Sequence, residues 1–276
     1  MVFRALLSIA VGALLVWVSG FGQSAIASSS PQLRAVQWSY LSDTGPDYWA
    51  ELDPTFASCK SGRQQSPINL IAAESVDIED PTFHYEPVPL NILNNGHTVQ
   101  VPYAPGSYME IEGDSPEERL RQRYNLLQFH FHSPSEHAID SKPWDAELHL
   151  VHQNNDGDLA VVAVLLQEGS KNSDDNSKNN RDYQLINNNL PTKVDEKIRT
   201  GTTINASNLL PDQTTTYRYS GSLTTPPCSE SVIWLVMTEP VNLSHSQIEA
   251  YKQLLNHNNR PLQRLNNRKI QMDSSP

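Results

Sequence analysis

Three histidines carry most of the chemistry open to this chain. In the stretch QFHFHSPSEHAIDSKPWDAELHLVH, residues 128–152, His130 and His132 stand two apart among Phe129 and Phe131. On an extended strand both imidazoles project from one face and both phenyl rings from the other. A second strand-like run, AELHLVH at 146–152, puts Glu147, His149 and Val151 on one face and Leu148, Leu150 and His152 on the opposite one. The Ser, Pro and Asp residues between the two runs supply a turn, so antiparallel neighbours can aim His130, His132 and His149 at a single ion. Gln128 and Glu147 each lie two residues before a ligand on the same face. There they are placed to accept the imidazole N–H that does not face the metal, which fixes the tautomer and the ring orientation.

Three neutral imidazoles leave the charge of a Zn2+ ion unneutralised and its fourth position open, the arrangement of a catalytic zinc that acidifies a bound water. Other zinc chemistries lack their spacing. There is no H-E-x-x-H helix of the metalloprotease kind, and H-x-H-x-x-x-E-H is not the H-x-H-x-D-H order of metallo-β-lactamases. A structural zinc takes four protein ligands, and three convincing ones are present.

These strands need a scaffold. The chain has 276 residues, 38% of them hydrophobic, enough to bury a core in one large domain. Runs rich in β-branched residues favour sheet, and neither an internal repeat nor a linker between two cores is evident. A formal net charge of −11 argues against nucleic acid as a partner. The N-terminus reads as an export signal: Arg4, an apolar run from Ala5 to Val18, a break at Ser19-Gly20, and cleavage after Ala27. The rival is an uncleaved anchor, although the apolar run is short for a membrane span. Two cysteines remain, Cys59 and Cys228; export favours a disulfide between them, with a pair of buried free thiols as the alternative.

Along the chain, residues 28–58 carry Trp38, Tyr40, Tyr48 and Trp49 without clear period and read as an irregular arm held by its rings. Ser66-Pro67 is a candidate cis bond. Short strands follow between Val76 and Ile111, with Asn95-Gly96 marking a hairpin whose edge residue, His97, has no function on local grounds. Residues 113–123 form a charged excursion. The apolar run Leu159 to Leu166 suits a strand covered on both faces, and residues 169–180 read as a polar loop. Tyr183 to Lys197 is expected to hold a short helix interrupted at Pro191. A strand, a loop around Pro226-Pro227 and a second strand span Tyr217 to Thr238, and a surface helix capped by Ser244 runs to Leu255.

QFHFH, SEH and AELHLVH, with QSPINL and NNGH before them and SLTTPP after, resemble the α-class carbonic anhydrases, particularly the secreted bacterial type. The similarity runs from about Trp38 to Ile270. It implies a mainly β fold with short helices, a single domain over residues 28–276 built around a large, mostly antiparallel twisted sheet, with one Zn2+ at the bottom of a cleft. It implies reversible hydration of carbon dioxide to bicarbonate by zinc-hydroxide attack. His130, His132 and His149 match the zinc ligands, Gln128 and Glu147 two of their supports, and Asn258 the residue whose backbone carbonyl holds the remaining ligand.

By the same resemblance, Thr224 accepts from the hydroxide and donates to Glu136, and Thr225 lines the cleft. Val151, Val161, Leu223, Val232 and Trp234, plain core on their own, match the apolar wall for carbon dioxide. His97 matches the proton shuttle, with Tyr40, Asn95 and Gly96 ordering the intervening water, and Cys59–Cys228 matches the disulfide of bacterial members. Ser133 departs from the tryptophan that follows FHFH in animal members, which leaves rim shape open. The alternative is a catalytically silent relative that binds without turnover, whose mark would be a lost zinc histidine. The partners implied are carbon dioxide and bicarbonate, with no stable membrane span after cleavage, a monomeric or homodimeric state, and a periplasmic or extracellular location, the thylakoid lumen included.

Overall fold

The computed structural model describes residues 36–112, 121–169 and 178–273. The export signal expected over residues 1–27, most of the 113–123 excursion and residues 170–177 of the polar loop lie outside them.

The two histidine-bearing runs form neighbouring strands, Gln122–His132 and Ala146–Gln153. They pair antiparallel with His149 opposite His130, Glu147 opposite His132 and Val151 opposite Gln128. Because side chains alternate along a strand, this register places all three imidazoles and both polar supports on one face. Strand Val99–Pro102 extends the sheet on one side, with Gln100 opposite His130. On the other side lie Leu159–Glu168, Glu230–Met237 and Thr216–Ser222. One row across the sheet therefore reads Gln100, His130, His149, Ala163, Val236, and the next Gln128, Val151, Val161, Trp234, Tyr219. Among the described residues this sheet holds thirteen strands, mostly antiparallel; Leu159–Glu168 pairs parallel with Glu230–Met237. The strands and short helices belong to one unit running from Val36 to Pro276.

Each face of the sheet has its own core. Phe129, Phe131, Leu148, Leu150, Val162 and Val164 pack on the face away from the histidines, under Tyr183 and Ile186 of helix Lys178–Asn187 and Ile248 and Tyr251 of helix His245–Leu255. Phe131 stacks on Tyr251 at 4.6 Å between centroids. Val161, Ala163, Leu165, Val232, Trp234 and Val236 form a second cluster on the histidine side. The Leu159–Leu166 run is thus covered on both faces, as its unbroken hydrophobicity requires. Helix His245–Leu255 begins with a full capping box between Ser244 and Gln247.

Two expectations need correction. The helix sought over Tyr183 to Lys197 is Lys178–Asn187 instead. It starts inside the segment read as loop, because burying Tyr183 and Ile186 outweighs a polar composition, and it ends in the run Asn187-Asn188-Asn189 ahead of Pro191. Lys197 opens an edge strand, Lys197–Ile204. The excursion also ends earlier than expected, since Gln122 already belongs to a histidine strand. The N-terminal arm is irregular as anticipated, broken into short helical turns such as Trp49–Leu52 and Ser58–Ser61. Fully buried Trp49 donates its Nε1–H to the Ser39 carbonyl at 2.8 Å. Ser66-Pro67 is cis, as are Ser133-Pro134 and Pro226-Pro227. Among the described residues no helix is long and apolar enough to cross a membrane.

Candidate metal centre

One ligating nitrogen from each of His130, His132 and His149 lies within 4.8 Å of the other two. The second ring nitrogen of each is already engaged. His130 Nδ1 meets Gln128 Oε1 at 2.9 Å, His132 Nδ1 meets the Asn258 carbonyl at 2.7 Å, and His149 Nε2 meets Glu147 Oε1 at 2.8 Å. With an acceptor on one nitrogen, each neutral ring turns the lone pair of the other toward the shared point. His132 Nε2 is buried there without a hydrogen-bond partner. Burial and the neighbouring imidazoles push His130 well below the usual histidine range, and burial lowers His132. Neutral rings are the form that binds metal. An all-imidazole set with this spacing fits Zn2+.

His137, Glu147 and His149 also lie close enough to suggest an ion, but hydrogen bonds account for them. Glu147 Oε1 takes His137 Nδ1 at 2.6 Å as well as His149, while Oε2 accepts the backbone N–H groups of Glu136 and His137, both at 2.8 Å. His137 Nε2 continues to the Tyr219 hydroxyl at 2.6 Å, and that hydroxyl to Ser66 Oγ at 2.8 Å. A chain of buried hydrogen bonds therefore runs from Ser66 to His149.

Glu136 is buried beside the candidate ligands, its Oε2 3.7 Å from His132 Nε2 and 4.0 Å from His149 Nδ1. Its Oε1 accepts the Arg260 backbone N–H at 2.8 Å, whereas Oε2 has no hydrogen-bond partner. The expected donation from Thr224 is thus not made, although Thr224 is 95% covered, at 5% exposure, in the loop after Thr216–Ser222. The five residues assigned to the apolar wall belong to one cluster: Val161, Val232 and Trp234 are buried and Val151 and Leu223 pack on them. The Trp234 and His149 rings lie 4.9 Å apart, so this cluster abuts one of the three imidazoles. Thr225 accepts the Cys228 N–H through its carbonyl at 2.8 Å.

His97 sits in the turn between Val88–Asn94 and Val99–Pro102, half-buried, with its ring stacked on Trp38 at 3.7 Å and 4° between planes. Asn95 Oδ1 caps the turn by accepting the backbone N–H groups of His97 and Thr98. Tyr40 packs near Trp38 and Trp49, its phenol pushed up by burial and by the Glu136 carboxylate. Cys59 and Cys228 form a disulfide with Cα atoms 5.0 Å apart.

Residues 44–274 match the family model described as eukaryotic-type carbonic anhydrase. The chain belongs to this family. A carbonic anhydrase of a Nostoc species is 41% identical over 260 residues, 92% of each chain. Two solved structures agree. A hyperthermostable carbonic anhydrase from a hydrothermal vent chimney has a TM-score of 0.77 and 42% identity, covering 86% of this chain and all of the other. The α-carbonic anhydrase of Thermovibrio ammonificans, solved with sulfanilamide, has a TM-score of 0.78 and 35% identity over the same shares.

Sequence reading missed several residues that brace the three-histidine cluster of this carbonic anhydrase. Tyr219 stands in a run that reads only as strand and His137 carries no functional signal in the sequence, yet both extend the hydrogen-bond support of His149. Arg260, in a tail that reads as mixed and polar, is 2% exposed and donates to Gln65 Oε1, the Ser66 carbonyl and the Cys59 carbonyl, each at 2.8 Å. The Trp38 stack on His97 had a signal, an aromatic-rich arm, but nothing in the arm names its partner.

Proposed function

We propose that the chain catalyses the reversible hydration of carbon dioxide to bicarbonate and a proton at a zinc ion held by His130, His132 and His149. The observation that carries this reading is the convergence of three imidazoles, each with its outward nitrogen satisfied, beside an apolar cluster. The intact triad speaks against a silent binding relative.

Zinc held by three imidazoles supplies a water whose pKa is lowered to about 7, the figure established for carbonic anhydrases themselves. The remaining work falls to the chain's own groups. Val151, Val161, Leu223, Val232 and Trp234 offer carbon dioxide an apolar wall with no group that would bind it tightly. In the working site the Thr224 hydroxyl turns to donate to Glu136 Oε2, the buried oxygen that has no hydrogen-bond partner among the described residues. That donation leaves a Thr224 lone pair to orient the nucleophile toward the substrate carbon. The Thr224 backbone N–H and Thr225 hold the bicarbonate formed.

His97 accepts the released proton through water ordered by Tyr40 and Asn95 and passes it to buffer. Half-burial lowers its pKa below the usual 6.5, so the ring is neutral and ready to accept at pH 7. Residues 1–27 act as the export signal, and the disulfide suits a periplasmic or extracellular site, or the thylakoid lumen. Stopped-flow carbon dioxide hydration at measured zinc content tests the reading. Fast turnover that is lost in His149→Ala and blocked by sulfanilamide is expected, and no hydration by fully zinc-loaded, oxidised protein would refute it.

A further inference from the structure

Asn258 lies just past the end of helix His245–Leu255. Asn256 and His257 adopt positive φ values of 42° and 63°, which break the helix and turn the chain inward. The residue they deliver is 2% exposed, and each of its side-chain polar atoms is engaged. Nδ2 donates to the His97 carbonyl at 3.1 Å and to the Phe131 carbonyl at 2.9 Å, while Oδ1 accepts the Ser133 N–H at 2.9 Å. The backbone carbonyl of the same residue accepts from the ligand His132 at 2.7 Å. One carboxamide thus bridges the His97 turn to Phe131 and Ser133, the residues flanking His132.

The His97 peptide is gripped on both sides, its N–H by Asn95 Oδ1 and its carbonyl by Asn258. The ring itself is held only by its stack on Trp38 among the described contacts. Ring placement relative to the centre therefore depends on where that backbone is held. Proton transfer through ordered water falls steeply when donor and acceptor drift, and a misplacement near 1 Å can cost about a hundredfold.

We infer that Asn258 is a positioning residue for proton transfer: its carboxamide sets the placement of His97 against the metal ligands. The inference rests on the reading of His97 as the shuttle. Two functions are separable in this residue, since the support of His132 comes from the main chain and survives side-chain replacement.

The test compares Asn258→Ala, Asn258→Asp, His97→Ala and the double variant His97→Ala/Asn258→Ala, all zinc-loaded. Asn258→Asp keeps the shape and the acceptor toward Ser133 and removes both donors, so the comparison survives if the alanine variant folds poorly. In dilute buffer both Asn258 variants are expected to lose about tenfold in kcat and less than about threefold in kcat/KM. Imidazole buffer restores kcat, and the double variant is no slower than His97→Ala alone. Amide exchange in the 96–98 turn quickens while that of 128–132 does not. Equal losses in kcat and kcat/KM, failure of imidazole rescue, or additivity with His97→Ala would overturn the inference, as a purely structural role would give those results. If His97→Ala itself leaves kcat unchanged in dilute buffer, the shuttle reading fails; if it slows turnover and the Asn258 variants do not, only this inference fails.

Discussion

Glu147 receives four hydrogen bonds, two from rings and two from backbone, and is wholly buried. Burial by itself would raise its carboxyl, but the facing His137 and His149 imidazoles and their hydrogen bonds hold it well below the usual range. It therefore stays an anion that orients His149. Glutamine is not a conservative replacement, because either orientation of its amide sets an NH2 against donors. Glu147→Ala is expected to weaken zinc binding by about 10–100-fold in chelator competition; unchanged affinity would mean the chain from Ser66 to His149 does not hold the ligand. His97 permits a second prediction. As the proposed shuttle it accepts a proton only when neutral, and burial lowers its pKa, so buffer-limited kcat for hydration is expected to rise with pH through a midpoint below 6.5. His97→Ala removes that step from the profile, and a midpoint above 6.5 would contradict it.

The sheet rows explain which substitutions its elements tolerate. Gly221 sits where strand Thr216–Ser222 passes under the segment carrying Ser66. A Cβ there would lie 2.1 Å from Ser66 Oγ and 2.7 Å from Trp234. Gly221→Ala is expected to destabilise by about 3 kcal/mol through overpacking and to disturb the Ser66–Tyr219 contact, which denaturant titration reads directly. In strand Ala146–Gln153 the register shifts after Val151, and His152 turns to Tyr85, its Nε2 2.7 Å from the hydroxyl and its Nδ1 without a partner. Burial lowers this ring to about 3. Since the folded pKa lies below the unfolded value of 6.5, the unfolded chain binds the proton first as pH falls. The stability His152 contributes is intact above pH 6.5 and declines by up to about 1.4 kcal/mol per pH unit toward its folded pKa. His152→Gln should flatten that slope between pH 6.5 and 4.5, and an equally steep profile would assign the acid sensitivity to other groups.

Across the whole molecule, the disulfide ties the N-terminal arm to the loop of Thr224. Its ends lie 169 residues apart, and closing so long a loop contributes on the order of 4–5 kcal/mol in the chain-entropy view. The bond is built into the site from both sides. Gln65 Nε2 donates to the Cys228 carbonyl, Arg260 donates to the Cys59 carbonyl, and the Arg260 backbone N–H holds Glu136. Reduction is therefore expected to lower both the denaturation midpoint and carbon dioxide hydration, measured with and without a phosphine reductant. Loss of stability with full activity would show that the Thr224 loop keeps its shape unaided.

The side-chain period of a strand is two, so the shared face of His130, His132, Gln128 and the pair Glu147 and His149 is legible in their spacing alone. The same alternation identifies Phe129 and Phe131 as core, and unbroken hydrophobicity marks Leu159–Leu166 as covered on both faces. Polar composition misled over helix Lys178–Asn187, where two buried residues outweigh their neighbours. Residues that brace the centre from afar carry no such period. Asn258 reaches His132 across 126 positions and Arg260 reaches Gln65 across 195. A single hydrogen bond over that separation leaves no local pattern, because its donor and acceptor meet only once the sheet has brought the tail of the chain under the strands. Resemblance to a family can point to Asn258, but the use of its carboxamide follows from packing alone.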